Sequence, residues 1–287
     1  MSTPADNSQH AEGPVKIDVD AVLRSRLGAR MRYVPRCLVH GIERLICQDR
    51  LNAMLAEAYP RRGADFCQAV VEHIGVKFSV EGERLLPADG RAVFVSNHPL
   101  GGLDGMALID FVARHYPGSR PLFVVNDLLM AVEPLGEVFL PVNKHGAQSR
   151  EAIRAIDDAF AGNEPILIFP AGLCSRRRGG VIADLPWHKM FVAKARESSR
   201  PIVPIHFIAR NSDRFYRLAR LRERLGIKLN IEMVLLPGEM FRCSGGTIVC
   251  GAPIEPQSLT GDSAAEALRI RRIVDALSPQ SSIRQPL

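Results

Sequence analysis

Apolar side chains recur at three- and four-residue steps from Val19 to Ala58. They run through Val22, Leu23, Leu27, Met31 and Val34, then through Leu38, Ile42, Leu45, Ile46, Leu51, Met54 and Leu55. That is the period of an amphipathic helix. Pro60-Arg61-Arg62-Gly63 breaks the pattern, and Phe66–Gly75 resumes it. Beyond Gly75 the texture changes to short apolar runs separated by helical periods. Val76–Val80, Arg91–Ser96, Leu122–Asn126, Val138–Val142, Pro165–Phe169, Ile202–Phe207, Ile231–Leu236 and Thr247–Val249 read as strands. Asp104–Tyr116, Ser149–Ala161 (with Ser149 as cap), Trp187–Arg196, Phe215–Leu225 and Ala264–Leu277 read as helices. Alternating strands and helices predict an α/β fold with a mostly parallel central sheet flanked by helices, preceded by an N-terminal amphipathic helical segment. The expected division is a disordered tail at 1–14, polar and broken by Pro4, Gly13 and Pro14; a helical segment at 15–74; and the α/β domain at 75–287.

Composition narrows this picture. With 46% apolar and 24% charged residues, the 287-residue chain is an ordinary globular sequence, which excludes wholesale disorder. Its six Cys form no C-x-x-C pair and no Cys/His zinc spacing, so they read as buried thiols in a reducing cytoplasm, with no metal site and no cofactor expected. The N-terminus has no signal-peptide pattern, and no apolar run approaches the ~20 residues of a spanning helix. A net charge of +6 suits an anionic surface. Arg24, Arg26, Arg30, Arg32 and Arg36 crowd the first helical stretch, and RFYRLARLRERLG at 214–226 is a second basic stretch. Each either lies on anionic lipid or packs its apolar face on the core. No nucleic-acid module is present, and aromatic residues do not interleave with the basic ones, so no nucleic-acid partner is expected.

The segment RAVFVSNHPLGGLDG, 91–105, carries the chemistry. A strand ends at Ser96, and His98 follows at its carboxyl end, where α/β sheets bind ligands. A neutral imidazole takes a proton from an attacking hydroxyl or amine when a carboxylate fixes its tautomer, and Asp104 is close enough in sequence to be that carboxylate. The intervening Gly101-Gly102 lets the loop fold back. On these residues alone the segment is equally readable as a tight turn, with Asp104 a helix N-cap. FPAGLCSRR, 169–177, ends another strand. Gly172 permits close backbone approach, and the following guanidiniums suit a phosphate, a carboxylate or an acidic carrier protein. Lys144 and His145 follow a third strand. Cys174, His188 and His206 read as structural, and neither a G-x-S-x-G elbow nor a Walker loop is present.

Four blocks in order, Asn97-His98 through Asp104, PLGEVFLPVNKHG (134–146), FPAGLCSRR and PIVPIHF (201–207), resemble those of the glycerolipid and lysophospholipid acyltransferases, typified by 1-acylglycerol-3-phosphate acyltransferase. Three features differ from the common pattern: five residues rather than four between His98 and Asp104, Ala171 where most members carry Glu, and Lys144 where Arg often lies. NHPLGGLDG with FPAGLCSR is most similar to a hemolysin-related bacterial subgroup, some of whose members are tied to amino-acid-containing lipids. The resemblance implies a glycerol-phosphate-acyltransferase-like fold and an acyl transfer from an acyl carrier protein or coenzyme A thioester to the hydroxyl of a lysophospholipid or lyso-amino-acid lipid. It implies His98 and Asp104 as the catalytic pair, and Asn97, Gly101, Gly102, Lys144, Phe169, Pro170, Gly172, Ser175 and Arg176 as substrate-binding residues. The altered residues weigh against lysophosphatidate itself as acceptor. The implied location is cytoplasmic, peripheral on the inner face of the cell membrane. The competing expectations are an N-acyltransferase acting on an amine and a non-catalytic lipid-binding protein that retains the fold.

Overall fold

The structure is a computed structural model that describes residues 13–126, 130, 132–142 and 150–278. Lys144, His145 and Ser149, with most of the polar tail at 1–14, lie outside the described residues.

The N-terminal apolar period becomes several pieces rather than one rod. These are α1 (Val19–Leu27), a 3-10 segment (Gly28–Tyr33), α2 (Arg36–Leu45) and α3 (Gln48–Ala58). Asp18 caps α1 by accepting from the Ala21 amide at 2.9 Å. Pro35 stands where α2 begins, and Cys47, left-handed at φ 57°, separates α2 from α3. A fourth helix, α4, spans Gly63–Ile74. From α3 and α4, Leu51, Met54, Ala58, Phe66, Cys67 and Val70 enter the largest core cluster. Burying such a side chain is worth about 1.5–3 kcal/mol for the larger ones, so these two helices are part of the folded core. On α1 only Val19 is buried, and on α2 only Val39.

The next elements are β1 (Lys77–Glu81), β2 (Val93–Ser96), α5 (Gly102–His115), β3 (Leu122–Asn126), β4 (Phe139–Val142), α6 (Arg150–Ala161) and β5 (Ile166–Ile168). They are followed by β6 (Arg176–Arg178), β7 (Val181–Ala183), α7 (Met190–Glu197), β8 (Ile202–Ile208), α8 (Asp213–Arg224), α9 (Leu236–Met240), β9 (Gly245–Cys250) and α10 (Ser263–Ala276). Among the described residues the sheet has seven strands in the order β1-β9-β8-β2-β5-β3-β4. Five of them, β8 through β4, run parallel, with Val95 beside both Ile168 and Pro204. β9 is antiparallel to β8, pairing Ile248 with Phe207, and β1 follows β9 in parallel.

Strand alternation divides the core into two layers. Phe94, Leu167, Val203 and Ile205 face α3, α4 and α5; Val93, Val95, Ile166, Ile168 and Ile202 face α6, α7 and α10. Arg200, fully buried before β8, closes the end of α6: its guanidinium donates to the carbonyls of Ala159, Phe160, Gly162 and Glu164 at 2.6–3.1 Å. β2 and β5 are neighbours, yet the chain leaves β2 toward β3 and leaves β5 toward β8 on the opposite side. Such a divergence opens a crevice at the carboxyl ends of those two strands.

Three features depart from the sequence pattern. Ile231–Leu236, expected as a strand, is a 3-10 segment (Ile231–Leu235) running into α9. A six-residue apolar run suits either form. Here it packs Leu235 and Met233 into a small cluster with Phe215 and Tyr216 while turning Glu232 inward. The helix expected from Trp187 begins at Met190, because Trp187 belongs to the preceding loop and its indole bonds Asp184. The two-stranded antiparallel sheet β6–β7 lies outside the central sheet and was not anticipated.

Candidate active site

The crevice at the ends of β2 and β5 brings together the two segments that the sequence singled out. His98 is the second residue after β2, and Asp104 lies in the first turn of α5. The imidazole Nδ1 is 3.1 Å from both Asp104 carboxylate oxygens. Asp104 is fully buried while the His98 side chain keeps 16% exposure, so the carboxylate is held behind a ring that faces the crevice. The same carboxylate accepts from the Leu100 amide at 2.7 Å (Oδ2) and the Gly105 amide at 2.9 Å (Oδ1). Asp104 is thus not the N-cap, a place taken by Gly101. It satisfies one free amide of the helix start and one of the loop while holding the imidazole in a single tautomer. With Nδ1 so engaged, Nε2 is the nitrogen left for a substrate proton.

Four backbone groups of the loop that carries His98 are held by partners, the Leu100 amide among them. The Asn97 side chain donates to the Phe207 carbonyl at 3.0 Å and accepts from the Phe207 amide at 2.7 Å, clamping β2 to β8. The Ser175 amide donates to the His98 carbonyl at 2.7 Å, and the His98 amide donates to Asp184 Oδ1 at 3.2 Å. Asn211 Nδ2 donates to the Pro99 carbonyl at 2.9 Å. Gly101 has φ +84°, and a Cβ there would sit 2.7 Å from Leu236 and 3.1 Å from the Cys174 sulfur, so no larger residue fits this turn. The His98 ring stacks on Phe169 (centroids 4.3 Å apart, planes at 25°). Phe169 in turn meets Phe123 and Phe207 edge-on, and Phe207 meets Phe78. This chain of rings ends near a cleft of about 510 Å³ between α4, α5 and β1, lined by Val71, Val76, Phe78, Phe111 and Ile248 and also by the polar Gln68, Glu72, Lys77, Asp110 and Arg114.

Several residues named from the sequence are occupied by the protein itself. Arg176 is buried; its guanidinium donates to Glu232 at 2.8 Å and to the Cys174 carbonyl at 2.6 Å, and it lies over the Phe215 ring. Glu232 also meets Arg222 at 2.9 Å. Ser175 Oγ donates to Asp184 at 2.6 Å. Asn97, Ser175 and Arg176 therefore stitch the site's segments together instead of presenting free groups to the crevice. Pro170 is buried, its carbonyl accepting from the His188 amide. Gly172, left-handed at φ +62°, turns the chain after β5, and Gly102 has open space above it. Cys174 is fully buried against Phe215 and Tyr216, and burial pushes its thiol well above the ordinary range.

Asp184 is the participant that the sequence did not signal. One oxygen accepts from the His98 amide and the Ser175 hydroxyl, the other from the Trp187 indole at 2.9 Å, and Arg271 of α10 donates to its backbone carbonyl at 2.8 Å. It follows β7 as a single acid between the short apolar runs Val181–Ala183 and Leu185–Trp187, so only the folded hairpin reveals its role.

A histidine backed by a buried carboxylate, on a rigid loop at the sheet's carboxyl edge, meets the geometric requirements of a general base. The comparisons give the family. The family model described as "Acyltransferase" matches residues 21–276. The chain is 43% identical over 244 residues to a lyso-glycine lipid O-acyltransferase of Phocaeicola vulgatus (84% of this chain, 87% of that protein). It is 42% identical over 244 residues to a lyso-glycine lipid O-acyltransferase of Bacteroides thetaiotaomicron (84% and 89%). Its fold is similar to that of the 1-acyl-sn-glycerophosphate (LPA) acyltransferase PlsC of Thermotoga maritima, with a TM-score of 0.50 at 15% identity over 78% of this chain and 80% of that one. The chain belongs to the acyltransferase family, and it is an enzyme that transfers acyl groups.

Proposed function

We propose that the enzyme moves a fatty acyl group from a thioester, carried by acyl carrier protein or coenzyme A, to the hydroxyl of a lyso-amino-acid lipid. The observation that carries this reading is the His98 ring held through Nδ1 by Asp104 at 3.1 Å, which leaves Nε2 for an acceptor's proton. The acceptor class draws support from the two relatives, both named lyso-glycine lipid O-acyltransferases.

In the proposed step His98 Nε2 takes the acceptor's hydroxyl proton as its oxygen attacks the thioester carbonyl. The tetrahedral intermediate collapses with loss of the C–S bond, and the imidazolium returns its proton to the departing thiolate. Asp104 stabilises the imidazolium throughout. No side-chain nucleophile is needed, and Cys174 has neither a base nor access. Gly102, with open space above it, leaves room for substrate at the crevice rim. Phe169 fixes the ring plane of His98. Lys144, outside the described residues, keeps its proposed role of anchoring the acceptor head group. Among the described residues no helix is long and apolar enough to cross a membrane. We place the enzyme peripherally on the inner face of the cell membrane, where such an acceptor resides.

The test is thioester-dependent acylation of a panel of lyso-lipids by the purified full-length protein. An ester-linked product formed from lyso-glycine or a related lyso-amino-acid lipid, and poorly from lysophosphatidate, is the expected result. An amide-linked product would replace this reading with N-acylation. Turnover of lysophosphatidate as fast as of any lyso-amino-acid lipid would overturn the acceptor class.

A further inference from the structure

The C-terminal half of α8 and the segment after it form an amphipathic surface that the site does not use. Leu221, Leu225 and Leu229 are exposed at 51%, 64% and 75%, with Ile227 and Val234 also exposed. Between them stand the exposed cations Arg220, Arg224 and Lys228, with Arg214 and Arg217 further back on the same helix. Arg222 is engaged by Glu232, and the one nearby acid on the helix, Glu223, is met by Arg178. No carboxylate among the described residues pairs with Arg220, Arg224 or Lys228. Four large apolar side chains interleaved with unneutralised cations in nine residues are a poor solvent face. They are the arrangement that lies in an anionic bilayer interface, leucines down and basic stems snorkelling.

The position of this surface matters as much as its composition. Phe215, Tyr216 and Ala219, on the other side of α8, are buried. Phe215 and Tyr216 join Cys174, Leu235 and Leu236 in the cluster against which the Gly101 turn packs. Arg177–Asp213 and Arg178–Glu223 tie the helix to the β6–β7 hairpin, and Ser175, one residue before that hairpin, bonds His98. The exposed leucines are thus joined to the catalytic loop by one continuous packed unit.

We infer that Leu221–Leu229 is the surface by which the enzyme sits on an anionic membrane, holding the His98 crevice at the bilayer where its lipid acceptor lies. The inference rests on the reading that the acceptor is a lipid. A bilayer fits better than an acidic carrier protein because the apolar part consists of long aliphatic side chains standing free. It fits better than a second copy of this chain because the surface is strongly basic and would meet its own charge across a two-fold axis.

The experiment uses full-length wild type, Leu225→Ser/Leu229→Ser and Arg220→Glu/Arg224→Glu/Lys228→Glu. Each is sedimented with vesicles of phosphatidylglycerol and phosphatidylcholine, and with phosphatidylcholine alone. Each basic side chain near an anionic surface contributes about fivefold in partitioning, so the charge-reversed protein should lose at least ~100-fold in affinity for the anionic vesicles. The serine variant should lose at least ~10-fold, with unchanged thermal melting. Turnover of lyso-lipid dispersed in detergent should stay at the wild-type level in both, while turnover of the same lipid in vesicles falls with binding. Wild-type vesicle binding by both variants would overturn the inference. So would a self-association of the wild type that the serine variant abolishes, or a loss of turnover with acyl carrier protein that is the same in detergent and vesicles. Absence of turnover in detergent by the wild type would count against the proposed reaction and leave the vesicle result to be judged separately.

Discussion

Replacing Asp104 by Asn separates the two jobs of that carboxylate. The side chain is fully buried, and its two oxygens accept from three donors: the His98 ring, the Leu100 amide and the Gly105 amide. Asn keeps the shape but has one acceptor oxygen. Whichever way its amide turns, an NH2 group faces either the Leu100 or the Gly105 N–H, and one buried donor loses its partner. That costs about 1–3 kcal/mol, which lowers Tm by about 2–4 °C per kcal/mol in a protein of this size class. The larger effect is on chemistry. The imidazolium formed when His98 takes the proton loses its counter-charge, and the ring loses its enforced tautomer. In a His–carboxylate pair this is worth about 10⁴-fold in kcat, so a loss of about 10³- to 10⁴-fold is expected. The assay is release of free thiol from the acyl thioester in the presence of lyso-lipid, alongside a thermal melt. The expected pattern is a large fall in kcat, little change in donor KM and a modest fall in Tm. An Asp104→Asn enzyme that melts lower yet keeps more than a tenth of wild-type kcat would show Asp104 to be only a staple for the loop, and the reasoning would be wrong.

Three further outcomes follow from the same contacts. Asp184→Ala removes the acceptor for the His98 amide and the Ser175 hydroxyl, so kcat should fall about 100-fold through misplacement of the base. Asp184→Asn should restore part of it, and equal damage by both would point to fold loss instead. Cys174→Ala should keep turnover within about threefold of wild type, because a fully buried thiol with a raised pKa does not carry the acyl group; a trapped acyl-enzyme that disappears in this variant would reverse that conclusion. His206 is largely buried, and burial holds its pKa below 6.5, outweighing the pull of the Val274 carbonyl toward the charged form. The unfolded chain therefore binds that proton more readily, so stability is present above pH 6.5 and declines as pH falls below it. Denaturant melts of wild type and His206→Gln between pH 7.5 and 5 should show a shallower acid decline in the variant; parallel curves would remove His206 from the acid sensitivity.

The middle of the central sheet was readable because β2 and β5 are short apolar runs buried along their whole length, whereas edge strand β1 alternates exposed and half-buried residues. Leu122–Asn126 was delimited to the residue, and the helix expected at Asp104–Tyr116 runs from Gly102 to His115. What misled the reading of Ile231–Leu236 was the ambiguity of an apolar run whose inward polar residue, Glu232, answers to a distant Arg176. The hairpin Arg176–Ala183 carries no alternation because it packs no central core face, so nothing local announced it. His98 and Asp104 were legible because their contact is made within seven residues of chain. Asp184 and Asn211 act on the same loop from 86 and 112 residues away, a proximity that only folding creates. The same holds for Arg176. Its sequence neighbours are cations that suggest an open anion site, whereas its partner is a buried acid 56 residues on.

The most direct test of the account is the turnover of His98→Ala at saturating thioester and lyso-lipid, measured on protein whose melt and vesicle binding match wild type. A fall of at least ~10³-fold, to the level of the uncatalysed reaction plus whatever positioning alone provides, is predicted. Turnover within tenfold of wild type, with the same ester product, would contradict the claim that this imidazole removes the acceptor's proton.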